Sequence, residues 1–397
     1  MTTTTMGRGD ADGSPRAGET CPGCGRSDAV SLPIPGERSM LSDGRIIARP
    51  LDKLRCPGCG LIRHRHPPDA AEISAIYSGA YGLPALTGTG EQFRGKAYAS
   101  AILDALGKSA PDLRILDVGC GSGAMLRALS EQPEASSFKL TGIDPALPAA
   151  LAQADGRLTL LRGFPDSALA GHEQFHGQFD VVISINTIEH TSDPAAFLST
   201  LKALMAPEGV AIVVCPTTEF ANDELLFFDH FWSISPAAMA GFAASAGVRL
   251  VSRAGLAAPL AGFQLFRFSG EKAASTIVGV EQASDAIAYL TAWKELDALL
   301  ERQIVEVNKP AQAFGAGQMA ALLRAYAPRT FSRLKRFLLD HPEEAWPLGS
   351  AVRYDGQNTL DGWVTLVAVH PSGQDAVAAR IRGDGGTAVT LPSTIQH

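Results

Sequence analysis

Two sets of residues in this 397-residue chain have types and spacings that could do chemistry. The first is Asp117-Val-Gly119-Cys-Gly121-Ser-Gly123. It closes a mostly apolar run (113–118) and precedes a run that reads as the start of a helix (125–129). A strand that stops at glycine and restarts as a helix leaves a turn of bare backbone. A ligand can lie against it and face the N–H groups of the helix. A phosphate loop would need Gly-Lys-Ser/Thr, which is absent, and a nicotinamide fingerprint would read Gly-x-Gly-x-x-Gly where this turn reads Gly119-x-Gly121-x-Gly123. Asp144 ends the next apolar run, 27 residues after Asp117. In doubly wound folds an acid at that strand tip takes ribose hydroxyls.

The second set is Cys21-Pro-Gly-Cys24 and Cys56-Pro-Gly-Cys59, with 31 residues between the pairs. Pro-Gly between two thiols makes a tight turn, so both sulfurs can face one ion. Two such knuckles predict a tetrahedral four-thiolate zinc site. With no open coordination position, that zinc would be structural. A redox role needs only one Cys-x-x-Cys, and disulfides need an oxidising compartment. Cys120 and Cys215 read as small buried fillers.

The elements that must position these residues follow from periodicity. Residues 1–20 read as a disordered tail without the apolar core of a signal peptide. Residues 21–66 read as a zinc-binding module with short strands at 45–48 and 61–63. Helices are expected at 69–77 and 93–106. The core then runs strand 113–118, helix 123–131, strand 139–143, helix 146–154, strands 158–161 and 179–185, helix 194–205 and strand 209–214. Such alternation implies an α/β fold with a parallel sheet covered on both faces. Two more strands, 247–252 and 262–268, are expected as a hairpin at the sheet edge, closing a domain of 67–270. A helical linker spans 271–307, with its helix over about 281–307. Residues 308–397 repeat the strand, glycine turn and helix pattern, with Gly315-x-Gly317-x-x-Ala320 at the turn and a strand over 331–339. They predict a second, smaller Rossmann-like domain.

Composition excludes some classes. The net charge of −7 argues against a general nucleic-acid partner. Arg63-His-Arg-His66 is a small basic cluster, read as a solvated edge. No apolar run reaches the ~18 residues of a membrane span, so no membrane partner is expected and the cytoplasm is the expected location.

The run Asp117-Val-Gly-Cys-Gly-Ser-Gly123 resembles motif I of class I methyltransferases, which use S-adenosylmethionine (SAM). More of the chain resembles one branch of them, the sugar C-methyltransferases, which methylate carbon 3 of nucleotide-bound 4-keto-deoxysugars. The resemblance covers roughly 21–397. It rests on Cys56-Pro-Gly-Cys-Gly-Leu61, Asn186-Thr-Ile-Glu-His190, Phe228-Asp-His-Phe-Trp-Ser-Ile-Ser235, Gly315-Ala-Gly317 and Leu338-Leu-Asp-His-Pro342. The chain departs from the family at Phe227, near which members carry Tyr, and at Asp229, where they carry Glu.

The resemblance implies that the Gly119, Gly121 and Gly123 backbone cradles the methionine part of SAM. It implies that Asp144 holds the ribose and that Phe164 packs on the adenine, with Asp117 and Asn186 completing that side. Carbon methylation beside a ketone needs a base for the α-proton, and His works near neutral pH without a large shift. His230 is the expected base, Asp229 its orienting partner, and Glu224 a further catalytic candidate. Glu189 and His190 are expected at the acceptor, with Tyr77 and Tyr81 closing over it. The expected cofactors are SAM and one structural zinc, and the expected partner is a small-molecule acceptor, a nucleotide-linked sugar. The alternatives are O- or N-methylation of another metabolite, a zinc-ribbon RNA methyltransferase, and a non-catalytic SAM-binding module.

Overall fold

The computed structural model describes residues 20–77, 89–107, 111–163, 175–271, 285–342 and 348–395. The tail expected at the N-terminus, Tyr81 and Phe164 lie outside these residues.

The largest sheet has eight strands in the order Arg249–Gly255, Phe263–Ser269, Met205–Pro216, Phe179–Ile185, Arg114–Val118, Lys139–Asp144, Leu158–Arg162 and Gln153–Asp155. From Met205–Pro216 to Leu158–Arg162 the five strands are parallel. The hairpin expected from the sequence forms the antiparallel edge. Alternate residues of each central strand face opposite layers, as strand geometry requires. Leu116, Val118, Val182 and Val213 pack with Leu198, Leu201, Met239 and Phe242 of helices Pro194–Leu204 and Pro236–Ala246. Ile115, Val181, Ile183 and Val214 pack on the other side with Tyr98, Ile102, Leu126 and Leu129 of helices Thr89–Leu106 and Ala124–Ser130. This double covering explains why the strands read as unbroken apolar runs. Helix starts are set locally: Asp193 accepts from the N–H groups of Ala195 and Ala196, and Ser235 from that of Ala238, each with Pro as the next residue. Such a cap contributes about 1 kcal/mol.

Chain order reverses between Arg114–Val118 and Phe179–Ile185. Ligands of open α/β sheets sit at such a switch point, outside the carboxyl ends of the strands.

A second sheet is parallel throughout, in the order Ala351–Arg353, Leu334–Leu339, Ala311–Phe314, Val364–Val367 and Thr387–Val389. Helix Ala286–Val307 buries Leu290, Trp293, Leu296 and Leu300 in the core beside it. The cysteine-bearing segment forms an antiparallel sheet of Val30–Ser31, Lys53–Arg55, Ile62–His64 and Trp232–Ser233. Its last strand comes from far down the chain, so this sheet is continuous with the segment that carries Asp229 and His230.

Three local expectations are corrected. Residues 146–154 are not a helix. They form a 3-10 turn, Ala149–Leu151, and a strand, Gln153–Asp155, that pairs antiparallel with Leu158–Arg162. Pro148 before the turn and Gly156 at φ 46 favour a hairpin there. Residues 331–339 begin as the end of helix Pro328–Arg333, which Pro328 starts, before the strand Leu334–Leu339. Arg63 and His64 are buried in a strand and not on a solvated edge. Among the described residues no helix is long and apolar enough to cross a membrane.

Candidate functional site

The glycine turn lies at the switch point. Gly119, Gly121 and Gly123 all hold positive φ, at 83, 58 and 83 degrees, a region costly to residues with a Cβ. A Cβ on Gly119 would fall 2.1 Å from Thr187 Oγ1, so the turn and the 186–190 segment touch. Asp144 holds the turn in shape: its Oδ2 accepts from Gly121 N at 2.8 Å and its Oδ1 from Ala146 N at 2.7 Å. Each oxygen keeps a further lone pair for a ligand. Asp117 lies beneath, buried, and its Oδ1 has no hydrogen-bond partner among the described residues. Burial and the charge of Asp144 push its pKa up to about 8. Two buried acids beside an open glycine turn, both raised by burial, would give up their protons more readily next to a cationic ligand, and SAM carries both a sulfonium and an ammonium group. Asn186 stands at the end of the neighbouring strand with φ 51; its side-chain N–H donates to Tyr98 at 3.1 Å, and its Oδ1 lacks a partner among the described residues.

Next to the turn the structure gathers the remaining polar residues. Glu189 and His190 lie on a 3-10 turn, Ile188–His190, that follows strand Phe179–Ile185. Glu224 belongs to the turn Asp223–Leu226, which Asn222 caps by accepting from Glu224 N. The carboxylate that pairs with His230 is that of Glu224, 2.8 Å from Nδ1. Asp229 does not take the orienting role: its Oδ1 accepts from Ser42 N at 2.8 Å and its Oδ2 from Ser42 Oγ at 2.6 Å. Neighbours in an extended segment point apart, which explains the exchange. Its carbonyl oxygen lies 2.7 Å from His190 Nδ1, which also lies 2.7 Å from the Tyr77 hydroxyl. The His190 and His230 rings meet edge to face with centroids 4.5 Å apart.

The electrostatics separate the two histidines. Burial pulls His230 down, but Glu224 first and then Asp229 outweigh it, and its pKa ends above the ordinary value. His190, buried beside His230, falls to about 4. Glu189 is wholly buried, neither of its oxygens has a partner among the described residues, and burial pushes it up to about 8. One base is therefore strengthened while a neutral imidazole stands beside it.

Residues that the sequence did not mark hold this cluster. Lys53 is 1% exposed, and its ammonium donates to the carbonyls of Leu225 at 3.1 Å and Phe227 at 3.5 Å. Burial lowers it to about 7. Phe228 N donates to the Met40 carbonyl, and His64 N to that of Phe231. The cysteine-bearing segment is thus the floor under the Glu224–His230 loop. A lysine in a three-residue strand gives no sequence signal of that role.

Cys21, Cys24, Cys56 and Cys59 converge with their sulfurs within 4.8 Å of one another. Cys21 to Cys59 and Cys24 to Cys56 are each 3.5 Å apart, so no disulfide joins them. Tetrahedral zinc–sulfur bonds of about 2.3 Å place sulfurs about 3.8 Å apart, close to this spacing. Cys120 and Cys215 are buried, as expected of fillers.

The second parallel sheet meets the same loop. Gln318, which opens the helix after Gly317, donates to Asp223, and the Tyr326 hydroxyl donates to the Leu226 carbonyl.

Residues 91–258 match the family described as "Methyltransferase domain". Curated relatives include the ubiquinone biosynthesis O-methyltransferase of Caulobacter sp. (strain K31), 37% identical over 106 residues, which are 25% of this chain and 40% of that protein. The protein of the same name from Actinobacillus pleuropneumoniae serotype 7 (strain AP76) is 32% identical over 107 residues, 24% of this chain and 43% of that one. The chain thus spans about two fifths of the length of these relatives. Similar solved structures include the CurJ carbon methyltransferase, at 14% identity and TM-score 0.35 over 50% of this chain and 57% of that one. They also include CalO1, a methyltransferase in calicheamicin biosynthesis in its SAH-bound form, at 17% identity and TM-score 0.36 over 50% and 58%. The family match and the strand order agree: residues 91–258 form a class I SAM-dependent methyltransferase domain.

Proposed function

We propose that this protein transfers a methyl group from SAM to a carbon beside a ketone, on a nucleotide-linked deoxysugar or a similar small molecule. The observation that carries the reading is the pairing of buried His230 with partly exposed Glu224, 2.8 Å apart, on a loop next to the glycine turn. SAM, when bound, supplies an electrophilic methyl group. Gly119, Gly121, Gly123, Asp117, Asp144 and Asn186 hold it. His230, its basicity raised by Glu224, takes the α-proton through Nε2, leaving an electron pair on the carbon that accepts the methyl group. The oxygen charge that develops needs a donor. The Tyr77 hydroxyl and Glu189, kept protonated by burial, are the candidates nearby. His190 stays neutral and fixes Tyr77. The Gly315–Gly317 end of the second sheet holds the part of the acceptor that does not react, which its contacts to Asp223 and Leu226 support.

The four thiolates hold one structural zinc. Cys24→Ser should cost zinc and destabilise the segment around 21–66 while SAM affinity changes little. Metal analysis and thermal unfolding check this, and a purified, never-chelated chain without stoichiometric zinc would contradict it.

The curated relatives favour a second reading, O-methylation, since those proteins are named O-methyltransferases. The two separate in one experiment. The enzyme is incubated with labelled SAM and a panel of nucleotide-linked ketosugars and hydroxylated metabolites, each deuterated beside the carbonyl or hydroxyl carbon. Methyl gain with loss of deuterium from the adjacent carbon supports C-methylation. Methyl gain with deuterium kept supports O-methylation, and no methyl gain on any acceptor class counts against both.

A further inference from the structure

We propose that Glu189, His190 and His230 form a second metal site, separate from the four cysteines, for a divalent transition-metal ion. One ligand atom of each of the three residues lies within 4.8 Å of those of the other two. The set is two imidazoles and one carboxylate, which suits zinc, iron(II), cobalt(II) or nickel(II) and not magnesium or calcium.

Each histidine has a partner group at its Nδ1, as metal-bound histidines do. Nδ1 of His190 is within hydrogen-bond distance of the Asp229 carbonyl at 2.7 Å, and Nδ1 of His230 lies at ion-pair distance, 2.8 Å, from a Glu224 oxygen that makes no hydrogen bond among the described residues. A carboxylate or carbonyl on one ring nitrogen fixes the tautomer and leaves the Nε2 lone pair for an ion. The third ligand is the independent sign. Glu189 is 1% exposed, and neither carboxylate oxygen has a partner among the described residues. A buried carboxyl group without a partner is costly, and an ion would offset that cost. The charge balance points the same way. Three acids, buried Glu189 and Asp229 and the partly exposed Glu224, lie around the two imidazoles and one buried lysine, Lys53.

A bound ion would use the lone pair that His230 needs to take a proton. This consequence rests on the catalytic reading above: the metal-loaded protein cannot use His230 as base, so the site is an inhibitory one that the acceptor and the metal contest. The metal site itself stands without that reading.

The test is cobalt(II) added to the full chain with zinc already in the cysteine site. The expected result is one further cobalt per chain with visible ligand-field bands and no thiolate-to-cobalt charge-transfer band. Glu189→Gln and His190→Ala should abolish the bands. Glu224→Gln, which removes only the group behind His230, should weaken binding about 10–100-fold. SAM binding at the glycine turn, measured on each variant by calorimetry, shows that it is folded. No cobalt beyond the cysteine site would overturn the proposal, as would unchanged bands in Glu189→Gln. Methyl transfer that falls as the bands grow and returns with a chelator supports the inhibitory role. Methyl transfer that rises with cobalt overturns that role and the assignment of His230 as base, while leaving the three ligands in place.

Discussion

The chain builds the same device twice and equips it differently. Each of the two larger sheets has a strand, a glycine turn and a helix beside the point where strand order reverses. In the first, Gly119, Gly121 and Gly123 all need positive φ, and the carboxylates of Asp117 and Asp144 are buried at the strand ends. In the second, Gly315 alone has positive φ, at 101 degrees, and Gly317 is extended. The acid at the tip of its neighbouring strand, Asp340, is exposed and engaged by Arg380 through two hydrogen bonds of 2.8 and 3.0 Å. The first turn keeps charge in reserve for a cationic ligand, whereas the second has spent its acid on an internal ion pair. Topology alone therefore makes a place for a ligand, and the state of the acid decides which ligand it suits. Under the proposed function the cofactor goes to the first sheet, and the part of the acceptor that does not react goes to the second.

The largest expected effect lies on the first sheet's side. His230→Ala should lower methyl transfer about 10²–10⁴-fold with SAM affinity intact. Since the base must be neutral and its pKa is raised, kcat/KM should climb with pH through a value above that of an ordinary histidine. Glu224→Gln removes a negative charge beside it, so that limb should move to lower pH while the rate falls. A limb that stays in place would break the pairing of these two residues.

Substitutions at matching glycines sharpen the contrast. Gly119→Ala puts a Cβ at positive φ and against Thr187, with the conformation alone costing about 1–2 kcal/mol. SAM affinity should drop clearly. Gly317→Ala meets nothing within 4 Å, and both SAM affinity and unfolding temperature should be nearly unchanged. Calorimetry and thermal unfolding of the pair check this, and equal effects at the two glycines would erase the distinction.

The acids give the smallest effects. Asp144→Ala should weaken SAM by about 1–3 kcal/mol as a lost charged hydrogen bond. Asp340→Ala breaks an exposed pair, so its cost in stability should stay below about 1 kcal/mol with SAM affinity untouched. Weaker SAM binding in the Asp340 variant would show that the second sheet contributes to the cofactor site.

What was legible in the sequence was local. The glycine turn, Asp144 and the two cysteine knuckles are short motifs whose placement follows from spacing, and the alternation of apolar runs marks the central sheet. Glu224 and His230 were visible as residues but not as a pair. They are joined across an irregular loop with no period, and that loop takes its shape from Lys53, Ser42 and Met40, which lie more than 170 positions earlier. The choice of Asp229 as the partner of His230 followed adjacency in sequence, and Ser42 had already claimed that carboxylate. The hairpin at 153–162 was missed because an Ala-rich run reads as helix until Pro148 and Gly156 are weighed together.

The central claim is that His230 removes a proton from the acceptor carbon before methyl transfer. It is tested most directly by incubating enzyme and ketosugar in deuterated water without SAM and following exchange at the adjacent carbon by NMR. The wild-type chain should exchange that proton and His230→Ala should not. Exchange at the wild-type rate in His230→Ala would contradict the account.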